Sequence, residues 1–242
     1  INRLGKSQII DVRHEQAGTH AADGYARASG KLGVMIASTG PGTSNTVTGL
    51  YEAQYGSSRV LVITGQAETA FYGRGLSYVH EAENQVPMLV SVCRRVESPR
   101  HVNQLGSAFS AVLNDMFTGR GAPGAIEIPI DIQYADTQAM QISLPSNQAY
   151  VADDNAINNV LEALSQSSKR IIVAGGGVIA ANAHKELLAL AEMLDAPVLT
   201  TIDGRGVIPE DHPLCMGNYY NSAGIYNAIQ GADLTLAIGT KF

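Results

Sequence analysis

The residues with the types and spacing to do chemistry together lie in the first third of the chain. They are a carboxylate, Glu15; a turn of small, rigid residues, Thr39-Gly40-Pro41-Gly42-Thr43-Ser44-Asn45; an amide, Gln66; and an imidazole, His80. Glu15 falls where a short apolar run, Ile9, Ile10 and Val12, predicted to be a strand, turns into an Ala-rich helix. Ligands of open α/β sheets bind at strand ends. The helix dipole favours the charged form of a carboxylate there, whereas a cleft walled by Ala, Pro and Gly desolvates it and favours the neutral form. Such opposed forces suit an acid that shares a proton, although an ordinary first-turn glutamate satisfies the same position.

The elements that must hold these groups read as alternating helix and strand. After Glu15, Ala17, Ala21, Tyr25 and Ala28 form one small-residue helix face, and Gly30 is the expected stop. Val34 to Ala37 is predicted to be a buried strand running into the Gly-Pro-Gly turn. That turn lets backbone approach a flat ligand closely, and Asn45 is a candidate cap for the next helix. Val47, Leu50, Tyr51 and Gln54 continue that helix, and Val60 to Thr64 is an apolar run of the doubly covered, parallel kind. Residues 67 to 85 lack a period and read as a loop over the strand ends, where substrate choice is usually set.

Met88 to Val96 is predicted to be a strand, and Val102, Leu105, Phe109, Val112, Leu113 and Met116 an amphipathic helix stopped by Gly119. Pro123 to Asp131 reads as an alternating strand. Arg94, Arg95 and Arg100 form a mild basic cluster, suited to an anion or to a solvated strand end. Residues 1–135 are thus a first domain and 136–150, rich in Gln, Ser, Asn and Pro, a linker. In 151–242 a helix (Ile157, Val160, Leu161, Leu164), a strand (170–174), a helix (Leu187, Leu190, Ala191, Leu194) and two strands (197–201, 234–238) imply a second parallel sheet. The fold class is α/β, with two three-layer αβα domains. Gly175-Gly176-Gly177-Val178-Ile179-Ala180 matches G-x-G-x-x-A, whose glycines admit a pyrophosphate at a helix start, yet no acidic residue follows at ribose distance.

Four ordered segments, R-H-E, G-Y-A-R-A-S-G-K, T-G-P-G-T-S-N and V-I-T-G-Q, resemble the pyrimidine-binding domain of thiamine-diphosphate enzymes, near acetolactate synthase and benzaldehyde lyase. The resemblance implies that Glu15 bonds the ring nitrogen of the cofactor's aminopyrimidine, promoting its imino form, with Pro41, Gly42 and Asn45 in the same pocket. Gln66 matches a position near the cofactor cleft, or is a loop hydrogen-bonder. Val79-His80-Glu81 falls where acetolactate synthases carry Phe-Gln and decarboxylating relatives carry histidine, so His80 is a candidate substrate contact or a solvated side chain. Gly175, Gly176, Gly177, Thr201 and Ile202 resemble FAD-contacting positions of the family's middle domain, which holds FAD or ADP in some members and nothing in others. The implied activity is a lyase, carboligase or decarboxylase acting on 2-oxo acids in a homodimer or homotetramer. A non-catalytic FAD- or ADP-binding or assembly module is the alternative. The family's third domain carries a Gly-Asp-Gly and a later Asn pair that hold magnesium and the diphosphate. No Gly-Asp-Gly occurs here, so a fragment truncated at both ends, inactive alone, is expected.

The chain has 242 residues and a net charge of -6, with a pI near 5.5. That charge disfavours nucleic acid or an anionic membrane as partner, and no membrane span or signal segment is apparent, so a cytoplasmic setting is expected. Cys93 and Cys215 are read as unpaired thiols. His14-Glu15 and His20 read H-E-x-x-x-x-H, which breaks the one-face spacing of a zinc helix, and no metal ligands are assigned.

Overall fold

The computed structural model describes residues 8–76, 78–138, 140–146, 151–218 and 222–241. Residues 1–7 of the predicted first domain and 147–150 of the predicted linker lie outside these. The chain divides into two compact units, Ile1–Tyr150 and Val151–Phe242. Each is built on its own four-stranded, all-parallel sheet flanked by helices.

The first unit runs α1 (Glu15–Ser29), β1 (Gly33–Ala37), α2 (Pro41–Tyr55), β2 (Val60–Gln66), α3 (Gln85–Val90), β3 (Arg95–Glu97), α4 (Leu105–Phe117), β4 (Gly124–Pro129) and α5 (Ile130–Tyr134), with strand order β1-β2-β4-β3. Along β2 the side chains alternate between two cores. Val60 and Val62 join Leu50, Leu89 and Val92 on one face, while Leu61 joins Val112, Met116 and Ile126 on the other. β4 lies between β2 and β3 and is buried at all of its residues, rather than alternating as predicted.

Four local expectations change. Ile9, Ile10 and Val12 form no strand and are 51%, 76% and 40% exposed, so this stretch buries too little apolar area to offset the cost of ordering one. In β1, Val34 and Ile36 are exposed and only the alternate residues are buried. The packed face of α1 is Gly18, Thr19, Ala22, Asp23 and Ala26, not the neighbouring Ala17, Ala21, Tyr25 and Ala28. On this face Thr19 fits against Gly49 of α2, where an added Cβ would stand 2.6 Å from the Thr19 Cβ, and Gly18 fits against Met35 of β1. Met88 to Val96 is mostly helix and turn. Pro87 sits in the first turn of α3, where no helical N–H is required, and the strand that follows has three residues.

The second unit runs α6 (Asp154–Ser165), β5 (Arg170–Ala174), α7 (Gly176–Ala180), α8 (His184–Leu194), β6 (Val198–Thr200), β7 (Cys215–Asn218), α9 (Ala223–Gly231) and β8 (Leu234–Ile238), with strand order β7-β6-β5-β8. Sequence periodicity did not reveal β7: it carries Gly217 at φ 80° and shifts register against β6. Asp153 caps α6 by accepting the Ala156 N–H at 2.8 Å. Cys93 is buried and its thiol is pushed up to about 12 by burial, while Cys215 is also unpaired.

Glycine substitutions test this packing. A Cβ at Gly33 would overlap the Ala22 carbonyl of α1, whereas one at Gly24 on the open side of α1 would meet nothing within 4 Å. Gly33→Ala is expected to cost about 1–3 kcal/mol and Gly24→Ala to add about 0.5–1 kcal/mol, measured by urea unfolding.

Candidate active site

Gly30 ends α1 in the left-handed region at φ 69°, and its N–H bonds the Ala26 carbonyl at 2.9 Å. Only three residues then separate α1 from β1, so the helix runs back alongside the strand and its start meets the strand's carboxyl end. Glu15, the first residue of α1, thereby faces the turn that follows β1. Its Oε2 accepts the Asn45 Nδ2–H at 3.0 Å. Asn45 therefore does not cap α2 as predicted: Pro41 opens that helix from the Gly40 cap, and the amide side chain reaches across to α1. A Cβ on Gly42 would lie 3.3 Å from Glu15 Oε1. Among the described residues Oε1 accepts no hydrogen bond, so one carboxylate oxygen stands uncommitted beside a residue with no side chain. The Asn45 bond, followed by the backbone N–H of Glu15 itself, outweighs burial and holds the carboxyl below its ordinary range.

The turn is fixed from beneath. The Thr43 hydroxyl donates to the Ser38 carbonyl at 2.8 Å and meets the Thr64 hydroxyl of β2, both threonines being buried. Gly40, at φ 60°, donates its N–H to Gln85 Oε1 at 2.8 Å. Outside the turn lies an open cleft of about 600 Å³, lined by Pro41, Ser44, His80, Glu81, Asn84 and Met88 among others. His80 is exposed and holds φ 59°, a strained conformation for a side chain with a Cβ. Its carbonyl accepts the Thr39 hydroxyl at 3.3 Å, and a Cβ on Gly40 would collide with that same carbonyl. Glu15, Gly42 and Asn45 thus converge on one side of the turn, with Pro41 and His80 on the cleft beside it.

Gln66 is placed differently. It is 2% exposed, and its Nε2 donates to the Ala82 carbonyl at 3.2 Å and to Glu127 Oε2 at 3.1 Å. Glu127, fully buried in β4, escaped the sequence reading. Its one signal was a lone carboxylate in an apolar strand, which must find partners when buried. Those partners are Gln66, Gln85 Nε2 at 2.7 Å, Ser98 Oγ at 2.8 Å and Arg100, whose Nη2 is 3.7 Å away. Arg100 also lies 3.7 Å over the Tyr72 ring, while Arg94 pairs with Asp115 and Arg95 with Glu97, so each arginine of the basic cluster has an acidic neighbour. The 67–84 loop is tied by Glu81, which accepts the Gly73 N–H at 2.9 Å and the Tyr78 N–H at 3.3 Å, and by Asp131, which accepts from Thr69.

In the second unit the glycine turn is packed by backbone. Gly177 N–H donates to the Gly239 carbonyl at 2.8 Å and Gly175 N–H to the Ile238 carbonyl at 2.9 Å. A Cβ on Gly177 would stand 2.7 Å from the Gly239 Cα. Thr201 spends its hydroxyl on the Gly204 N–H at 3.2 Å, and Ile202 is exposed. A separate cleft of about 350 Å³ is lined by Thr200, Arg205, Glu210, Cys215 and Asn218 among others, without the three glycines. Among the described residues no three His, Cys, Asp or Glu side chains are grouped to hold a metal ion, and no helix is long and apolar enough to cross a membrane.

Family models add an independent comparison. The thiamine pyrophosphate enzyme N-terminal TPP binding domain matches residues 1–92, and the thiamine pyrophosphate enzyme central domain matches residues 157–242. The chain is 34% identical over 250 residues to a probable acetolactate synthase large subunit of Methanocaldococcus jannaschii, covering 99% of this chain and 42% of that protein. It is 35% identical over 245 residues to the acetolactate synthase large subunit of Corynebacterium glutamicum, covering 98% and 38%. It is also 34% identical over 241 residues to a sulfoacetaldehyde acetyltransferase of Alcaligenes xylosoxydans xylosoxydans, covering 97% and 38%. The chain spans about two fifths of the length of these relatives.

The electrostatics of the carboxylate are testable by titration. A carboxyl whose folded pKa is depressed contributes stability above its unfolded pKa and loses it as pH falls through the folded one. Asn45→Leu removes the largest cause of the depression, so the Glu15 carboxyl should titrate at higher pH than in the unaltered chain, read by carboxyl-carbon NMR.

Proposed function

The chain belongs to the thiamine pyrophosphate enzymes, and from that premise we propose that it forms the pyrimidine-binding side of an active site acting on 2-oxo acids, in the manner of acetolactate synthase. The observation that carries the reading is Glu15 Oε1, which accepts no hydrogen bond among the described residues and stands beside Gly42 at the mouth of a turn stripped of side-chain bulk. A flat heterocycle bearing a ring N–H fits that arrangement. Thiamine diphosphate, when bound, supplies an acidic carbon that adds to the carbonyl of an acyl donor. The chain's own residues hold and manage a proton. Glu15 accepts the ring N–H and stabilises its protonated side, Asn45 keeps the carboxylate aimed, and Pro41 and Gly42 give the ring a smooth wall. Gln66 acts from beneath, by fixing the loop at Ala82. His80, on the cleft wall, is assigned to the substrate's carbonyl or carboxylate. Magnesium and the diphosphate are assigned to protein beyond these residues, in a homodimer or homotetramer, following the family resemblance.

A second reading, an FAD- or ADP-binding module without catalysis, draws support from the cleft beside Thr200 and Asn218. It draws none from Gly175–Gly177, where Gly239 occupies both the space and the Gly177 N–H. Flavin absorbance or a co-purifying adenine nucleotide would support it.

In the full-length protein, Glu15→Gln is expected to lower turnover at least about 100-fold, the scale of a lost proton-transfer group. It should also weaken thiamine-diphosphate binding by calorimetry in the presence of Mg²⁺, with a melting temperature within a few degrees of the parent. Full turnover with unaltered binding would refute the assignment. His80→Ala should act chiefly through KM for the 2-oxo acid and leave cofactor binding intact.

A further inference from the structure

We infer that Glu127 is a positioning residue: from the middle of the sheet it orients two buried amides, and through them sets the Gly40 turn and the His80 loop that flank the cleft. This rests on the cofactor reading above and extends it to a residue that touches neither cofactor nor substrate.

Glu127 is fully buried on β4, opposite Thr64 of β2 in the parallel ladder. An ionised carboxylate accepts hydrogen bonds and cannot donate them. Its Oε2 takes the Nε2 hydrogens of Gln66 and Gln85, at 3.1 and 2.7 Å, so each of those amides must turn its carbonyl oxygen the other way. Both carbonyls then point at the turn. Gln85 Oε1 accepts the Gly40 N–H at 2.8 Å and lies 3.4 Å from the Thr39 hydroxyl. Gln66 Oε1 accepts the Ala67 N–H at 2.8 Å and lies 3.4 Å from the same hydroxyl. The Thr39 hydroxyl in turn reaches the His80 carbonyl at 3.3 Å. The remaining amide hydrogens go to backbone, from Gln66 to Ala82 and from Gln85 to Gly65.

Glu127 Oε2 is therefore the one acceptor-only side chain shared by both amides, and it fixes their sense together with the Gly65 and Ala82 carbonyls and the Gly40 and Ala67 N–H groups. Gly40 is the cap of α2 and has no side chain with which to satisfy its own turn, so the Gln85 carbonyl is the partner its N–H finds. The other oxygen also meets only donors: Ser98 donates to Oε1 at 2.8 Å and the Arg100 guanidinium stands 3.7 Å from it. A glutamine at 127 has the same shape but brings two hydrogens into a site built around acceptors. The amides can then flip, and a flipped Gln85 presents hydrogens, not an oxygen, to Gly40.

The test uses the full-length protein with Glu127→Gln and, independently, Gln85→Met, which keeps bulk while removing the Gly40 acceptor. Both should raise amide hydrogen exchange in peptides covering 39–45 at least tenfold, with little change in the α4 peptides or in melting temperature. Glu127→Gln should raise exchange over 78–85 as well. Thiamine diphosphate, titrated calorimetrically with Mg²⁺, should bind Glu127→Gln about tenfold more weakly. Unchanged exchange at 39–45 in both variants overturns the inference. So does unchanged cofactor affinity in Glu127→Gln where Glu15→Gln has lost it. Unchanged affinity in both Glu127→Gln and Glu15→Gln overturns the cofactor reading and this extension with it.

Discussion

One hydrogen bond, from Asn45 to Glu15, closes the site. It joins the first turns of two helices that leave the same end of the sheet, α1 running toward β1 and α2 running away from it. Neither helix could bring these side chains together if the other stood further off. The approach is set by Gly49 on α2, which receives Thr19 of α1, by Gly18 and Ala22, which let α1 lie close on Met35 and Gly33 of β1, and by the space Gly42 leaves beside Glu15. Small residues far from any ligand thus determine the position of a charge, because helix separation follows the size of side chains at the contact.

Beneath this lies a second constraint of a different kind. The turn after β1 has few side chains of its own, which is what allows a flat group to approach, and for that reason it cannot satisfy its own backbone. The sheet and the following loop supply the missing partners: Thr43 and Thr64 on one side, Gln85 on the other. A bare turn requires a polar foundation, and buried polar groups are stable only when every member is partnered. This accounts for the concentration of Gln66, Gln85, Glu127, Thr43 and Thr64, all essentially buried, under one loop of an otherwise apolar sheet.

The sequence made the alternation of helices and strands legible, and with it both parallel sheets, since long periodic segments such as α4, β5 and β8 carry their own evidence. Glu15, the Gly-Pro-Gly turn and His80 were legible as chemistry, but their connections were not. Asn45 has the type of a helix cap, and only the crossing of α1 and α2 redirects it to Glu15. The face of α1 was misjudged by one position because two adjacent small-residue stripes look alike in one dimension. Glu127 was overlooked because the strand was read as alternating, which gave its carboxylate an outlet to solvent that Gln66, Gln85 and Ser98 close on that face of β4. Gly175–Gly177 shows a limit of a different kind: a motif suited to a phosphate is equally suited to close contact between two backbone turns, and Gly239 makes such a contact.

The charge state of Glu15 ties these observations together. In the free chain its carboxyl is held below the ordinary range by Asn45 and then by its own backbone N–H. Covering it with an apolar ring would remove the solvent that also supports the charged form, and desolvation alone pushes a carboxyl upward. A group that covers Glu15 without offering a hydrogen therefore binds at a cost, and one that presents an N–H to Oε1 avoids it. The same carboxylate thus discriminates by hydrogen-bond sense as well as by shape. Because Oε2 is already engaged by Asn45, the discrimination falls on a single oxygen, and a single oxygen aimed beside Gly42 can specify which edge of a heterocycle faces inward.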